Sequence, residues 1–344
     1  MLSPRTEVIL RSITRKYIEE AMPVSSASVI NDCQMDVCSA TVRNEMVRLE
    51  QEGFIIRPHH SSGSVPSEKG YRHFVDLLKD AELPETERLF INHLFHQVEM
   101  QLEEWLELAA TLAAKQAHSV AVVTKPRPPA CRFHRLELVL IQGQRVLAVL
   151  ILRGAKIRQQ LITFPGEISQ EELTLISNKV STAYSGLTAA AIKGRETELV
   201  PEEKQIRETL LKMMQAEDSV ENEESYLDGL HFMLEQPEFS RNLKAPAIAE
   251  LVEQRRLGRS IIPEAMSESD VQVIIGQENR EEAIRDYSVV LSRYGLPDEA
   301  VGTIGIVGPT RMHYEKAITA IRYLSAVMTR LMSELYGRRP PGED

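Results

Sequence analysis

Apolar positions in the first eighty residues recur at helical spacing in short runs, each closed by a turn signal. Val8, Ile9, Ile13, Tyr17 and Ile18 trace one face of a first helix, opened by Ser3-Pro4 and closed ahead of Pro23. A short helix is expected over about 26–32, with a turn over 33–38. Val42, Met46 and Leu49 then recur by four and three behind Ser39, a residue suited to an N-cap. Gly53 suits the left-handed position that ends a helix. Phe54-Ile55-Ile56 reads as a short strand, residues 59–64 as a loop, Val65-Pro66 as the return, and a further helix starts near Ser67.

Downstream, Leu94, Val98, Leu102, Trp105, Ala109 and Leu112 place one long helix over about 85–116. Its apolar stripe suits a neighbouring sheet or a seam between two copies; packing within the chain is the simpler expectation. The period then shortens. Residues 119–124, 133–141, 145–152 and 157–164 read as strands, with Gly143-Gln144 as a tight turn between the middle pair. Ser169 and Glu172 make a capping box that starts a helix running to about Tyr184. Helices are also expected over 202–216, 225–234 and 244–257, with the acidic run 217–224 as a solvated linker. Strands over 271–276, 288–294 and 301–307 precede a last helix over 314–336 and a frayed tail from 338. This order predicts a sheet domain interrupted by an insertion.

The helix behind Ser39 carries Thr41, Arg43, Asn44 and Arg48 largely off its buried stripe, and a hairpin follows it. A winged helix-turn-helix has that arrangement: the helix enters the major groove and the wing lies along the backbone or minor groove. Arg and Asn can pair with purine edges, while Ser and Thr can hold phosphates. The same polar residues could equally be plain solvated positions on a small helix–hairpin pair.

Ser39-Ala40-Thr41-Val42-Arg43-Asn44, Leu49-Glu50, Gly53, Pro58-His59, Ser61, Gly63, Pro66, Gly70-Tyr71-Arg72 and Val75-Asp76 closely resemble the N-terminal block of the HrcA family, the bacterial heat-inducible transcription repressors. Ile18-Glu19, Pro23-Val24, Gly229-Leu230, the stretch 234–239 and the run 302–312 (GTIGIVGPTRM) extend the likeness. The resemblance implies an α+β multidomain protein. It would have a winged helix-turn-helix domain over 1–80, a discontinuous GAF-like α/β sheet domain over 85–165 and 240–337, and an inserted, mainly helical dimerisation domain over 166–240. It also implies a homodimer on double-stranded DNA carrying the CIRCE inverted-repeat operator of chaperone operons, promoted by the GroEL chaperonin and inactivated on heating. Thr41, Arg43 and Asn44 are then expected at or near bases, and Ser39, Arg48, His59, His60 and Lys69 at phosphates or in the wing. Two departures stand out. Where the family usually has arginine, this chain has Ala27 and Ser64, and each lost phosphate contact should flatten the log–log salt slope by roughly one unit.

Composition changes little in this picture. The formal net charge of −10 is spread unevenly: residues 1–80 hold ten Lys/Arg against eleven Asp/Glu, so the acid excess lies elsewhere. That balance fits a specific binder better than a nonspecific one, since only the DNA-facing surface must attract phosphate. The three cysteines, 33, 38 and 131, are too scattered for a disulfide framework or a metal site and read as structural thiols. No apolar run reaches membrane-span length, so the cytoplasm is expected and no membrane partner. His59, His60 and His73 lack a completing carboxylate or thiol, and no nucleophile–histidine–carboxylate set has positional support. Neither a cofactor nor enzyme activity is therefore expected. Gly302, Gly305 and Gly308 are spaced GxxGxxG within a β-rich run, which suits close backbone packing better than phosphate binding. Two other readings stay open: a regulator answering a small ligand through the GAF-like domain, and an interaction protein working through the insertion.

Overall fold

The computed structural model describes residues 2–33, 39–59, 62–78, 81–98, 101–128, 130–153, 156–195, 200–218, 224–240, 257–262, 271–297 and 299–337. All but the first residue of the expected turn over 33–38, His60, most of the run 217–224, all but the end of the helix over 244–257, and the tail from 338 lie outside the described residues.

Three helices open the chain: α1 (Pro4–Glu20), α2 (Ser26–Cys33) and α3 (Ser39–Gln51). Ile9, Leu10, Ile13, Val29, Val42, Met46 and Leu49 form their common buried core, as the helical spacing requires. Ser3 caps α1 by accepting the Thr6 N–H at 3.2 Å, with Pro4 in the first turn where its missing N–H costs nothing. Strands β1 (Ile55–Ile56) and β2 (Val65–Pro66) pair antiparallel, Ile55 opposite Pro66. Helix α4 (Glu68–Asp76) follows, capped by Ser67.

The expected long helix is two, α5 (Glu85–Gln97) and α6 (Leu102–Ala117). Val98 is extended (φ −85, ψ 140), yet no proline or glycine stands near it to announce a stop. The apolar period runs on across the break because both helices feed one core, through Ile91 and Phe95 before it and Trp105 and Leu106 after it.

The chain continues through β3 (Val120–Thr124), β4 (Phe133–Gln142), β5 (Arg145–Leu152), β6 (Ile157–Thr163), α7 (Gln170–Tyr184), α8 (Ala189–Lys193), α9 (Pro201–Asp218), β7 (Ser225–Asp228), β8 (Gln272–Ile275), β9 (Tyr287–Leu296), β10 (Ala300–Pro309) and a C-terminal helix (Tyr314–Leu335). A five-stranded sheet runs β7-β3-β10-β9-β8, with every neighbour antiparallel. Ala121, Val123, Val290, Ile304 and Ile306 face the core built with α6 and the C-terminal helix. Val120, Val122, Val289, Leu291 and Val307 face a second core with Met233, Leu257 and Ile261. Both faces are covered, which is why β3 is apolar without alternation.

The three glycines of 302–308 lie inside β10. A Cβ on Gly302 would stand 2.4 Å from the Tyr294 ring of the neighbouring strand, a close approach that only glycine permits.

Two sequence expectations are corrected. Residues 225–228 are not helix but the edge strand β7, paired to β3 from Ser225 opposite Thr124 to Asp228 opposite Ala121. Four residues are too few to show a period, and Gly229 (φ 88) separates them from the short helix Leu230–Leu234. The four runs of 119–164 also do not share a sheet. Only β3 joins the five-stranded one, while β4-β5-β6 form their own antiparallel meander.

By contact, the chain divides into a unit of 1–127, 223–296 and 300–344 and a unit of 128–222 with 297–299. The second of these units is mixed α/β, holding β4–β6 together with α7–α9. In it Leu136, Leu138, Val146, Ala148 and Leu150 turn to α7, and α8 and α9 add Ile192, Ile206, Leu210 and Met214. The meander thus completes its core locally, with no need of the larger sheet.

Candidate nucleic-acid interface

Helix α3 buries Val42, Met46 and Leu49 and turns the opposite side outward. Ser39, Arg43, Asn44, Val47 and Arg48 are exposed there, and Thr41 is half-buried at the edge. The helix begins at Ser39 itself, one residue earlier than a Ser39 cap would have it, and residue 38 lies outside the described residues. Val47, 43% exposed, sits between the arginines and was not singled out by residue chemistry. Only the exposed stripe, read as a face, marks it.

The acidic side chains around α3 are tied down. Glu45 accepts from the Thr6 hydroxyl of α1 at 2.8 Å, and Glu50 pairs with Arg57 at 3.4 Å. Glu52 accepts from Arg48 Nε at 2.8 Å, one turn along. That hydrogen bond, with the Glu52 charge, raises the Arg48 pKa above its ordinary value. Arg43 makes a long 3.5 Å contact to the Ser26 hydroxyl of α2, which holds it only weakly.

The hairpin is anchored at three points. Val24 and Ser64 form an antiparallel bridge beside it. Gly63 lies so close to that bridge that a Cβ would stand 2.5 Å from the Val24 carbonyl oxygen. At the root, Ser67 donates to the Gly53 carbonyl at 2.6 Å, and Gly53 itself takes the left-handed conformation (φ 77) that ends α3. At the tip, the Ser62 hydroxyl accepts the His59 N–H at 3.0 Å and donates to the His59 carbonyl at 2.8 Å. This clamp leaves His59 exposed, and no spacing or residue pattern announces Ser62's part in it.

Lys69 is placed differently from the other expected contacts. Its Nζ donates to the Glu52 carbonyl at 2.8 Å and lies 4.2 Å from the Phe54 ring centroid. A cation at the negative end of α3 stabilises that end, so Lys69 secures the helix–hairpin junction. Of the two positions where a basic residue is missing, Ala27 is exposed on α2 and Ser64 is buried as a member of the bridge. Among the described residues no group of three or more His, Cys, Asp or Glu could hold a metal ion, and no helix is long and apolar enough to cross a membrane.

These features define an α+β protein in which a helix-and-hairpin module presents arginine, asparagine and valine on one open helix face. Residues 103–318, more than half of the chain, match the family model of the HrcA protein C-terminal domain. A protein of Dehalococcoides mccartyi named heat-inducible transcription repressor HrcA is 54% identical over 344 residues, covering 100% of both chains. One of the same name from Roseiflexus castenholzii is 39% identical over 349 residues, covering 98% of this chain and 96% of its own. The crystal structure of a hypothetical protein shares the fold, with a TM-score of 0.56 and 20% identity over 97% of this chain and 98% of that one. The chain belongs to the HrcA family.

Proposed function

We propose that this chain is a sequence-specific transcription repressor of heat-shock and chaperone operons, acting in the cytoplasm as a homodimer on a CIRCE-type inverted repeat. The observation that carries the reading is the open face of α3, where Arg43, Asn44, Val47 and Arg48 stand exposed beside an anchored hairpin. In this reading residues 1–80 are a winged helix-turn-helix. Helix α3 lies in the major groove, Arg43 and Asn44 pair with purine edges, Thr41 contacts a base or its neighbour, and Val47 packs on a thymine methyl. Ser39, Arg48, His59 and His60 hold phosphates, while Lys69 braces the wing root. Arg48 would exchange Glu52 for a phosphate on binding.

The five-stranded sheet with its covering helices takes the GAF-like role, and the unit of 128–222 takes the dimerising one. Support for the latter comes from the side of the β4-β5-β6 sheet opposite α7, where Val139, Ile141, Ile157 and Leu161 are exposed. A GroEL-type chaperonin favours the folded repressor, and heat diverts it, releasing the operons.

The test is a footprint and transcription assay on a chaperone-operon promoter carrying the repeat, with and without chaperonin. Protection of both half-sites with repression, strengthened by chaperonin and lost on heating, is the expected result. Transcription unaffected by the folded protein would refute the reading.

A further inference from the structure

Arg311 lies between β10 and the C-terminal helix and is 9% exposed. A charge so far out of water needs partners, and each of the three guanidinium nitrogens of Arg311 has one. Nε and Nη2 grip the two carboxylate oxygens of Glu238 as a fork, the second at 3.1 Å, and Nη1 donates to the Ile18 carbonyl at 3.0 Å. That carbonyl belongs to the last turn of α1, just before Ala21 takes a left-handed conformation (φ 52, ψ 27) and the chain leaves the helix. Carbonyls there lack partners within the helix, and a cation suits its negative end. Arg311 is therefore a C-terminal cap on α1 supplied from the far end of the chain.

The tie leads on to the hairpin. Three residues past the left-handed Ala21, Val24 makes its bridge to Ser64. A second tie holds α4: Arg72 donates to Glu278 at 3.0 Å and to the Val273 carbonyl at 2.8 Å, and the Tyr71 and Tyr314 rings lie 5.8 Å apart. Removing Arg311 thus frees the attachment at the end of α1 and leaves that through α4 in place.

We infer that Arg311 is a positioning residue for operator recognition. It fixes how α1–α3 and the hairpin are held on the five-stranded sheet, and so the spacing between the two recognition helices of a dimer. The inference rests on the DNA-binding reading above. A residue that only filled the core would change stability without changing which half-site spacing is preferred.

The test uses the full chain, with Arg311→Met and Arg311→Lys, on labelled duplexes: one half-site, the CIRCE-type repeat, and repeats with the spacer lengthened or shortened by a few base pairs. The wild type should prefer the natural spacer by about tenfold or more, within the usual range of coupling between sites. Arg311→Met should bind the single half-site within about twofold of wild type, the scatter expected of uncoupled positions, and accept all spacers alike. Arg311→Lys, which keeps the charge but not the fork, should fall between them. Full spacer preference in folded Arg311→Met overturns the inference. If that variant does not fold, unchanged preference in Arg311→Lys does so. A wild type blind even to the half-site would instead overturn the DNA-binding reading.

Discussion

Val24 and Ser64 exchange both of their backbone hydrogen bonds, each 2.9 Å long, so the segment leaving α1 and the returning arm of the hairpin form one piece. Gly63 makes this contact possible, since a Cβ there would press on the Val24 carbonyl oxygen at 2.5 Å. Gly63→Ala should lower folding stability by about 1–3 kcal/mol, as overpacking against backbone does. Urea denaturation checks it, and an unchanged midpoint would contradict the account of the bridge.

Arg43→Ala and Asn44→Ala should each weaken operator binding by about 1–3 kcal/mol while leaving stability nearly unchanged. Both side chains are exposed, so circular dichroism should show intact helices. Val47 has its own signature: replacing thymine by deoxyuracil at the contacted base pair should weaken the wild type and leave Val47→Ala indifferent.

Ala27 is exposed on α2, where the family's usual basic residue would meet phosphate. Ala27→Arg should tighten operator binding and steepen the log–log salt slope by about one unit. A slope unchanged across a salt titration would place α2 off the backbone.

Leu161 is 53% exposed on the open face of the β4-β5-β6 sheet, and Leu147 and Val139 stand beside it in register. Leu161→Glu should raise the dimer dissociation constant by at least about tenfold, because an unpaired charge would be buried. Sedimentation velocity reads the change. A dimer as tight as the wild type would move the interface elsewhere.

Burial, helped by Lys316, Arg311 and His118, pushes the pKa of His313 below its ordinary 6.5. As pH falls through 6.5 the unfolded chain takes up the proton first. The stability that His313 contributes is therefore fully present above 6.5 and is lost as pH falls toward the lower folded value. Urea midpoints between about pH 7.5 and 5 should fall for the wild type and less for His313→Gln.

The N-terminal module was legible because its signals are local. Three apolar residues at helical spacing marked the buried side of α3, Gly53 marked its end, and Val65-Pro66 the returning strand. Elements whose identity depends on a distant partner were not. Ser225–Asp228 is a strand because β3 lies beside it, and the break after Val98 falls where no residue type announces one. The grouping of β4–β6 with α7–α9 follows from where their apolar faces find cover, which spacing along the chain does not encode. Within the candidate interface, residue chemistry named Arg43 and Asn44. It could not reveal that Lys69 turns back to the Glu52 carbonyl, that Val47 shares the open face, or that Arg311 caps α1.

Fluorescence anisotropy of the purified protein on a CIRCE-type inverted repeat and on a scrambled duplex, across a salt series, decides whether this chain is a sequence-specific operator binder. Tight binding to the repeat, much weaker binding to the scrambled duplex, and a modest salt slope in keeping with Ala27 and Ser64 are expected of an operator binder. Equal, weak binding to both duplexes at every salt concentration would rule out sequence-specific recognition by α3.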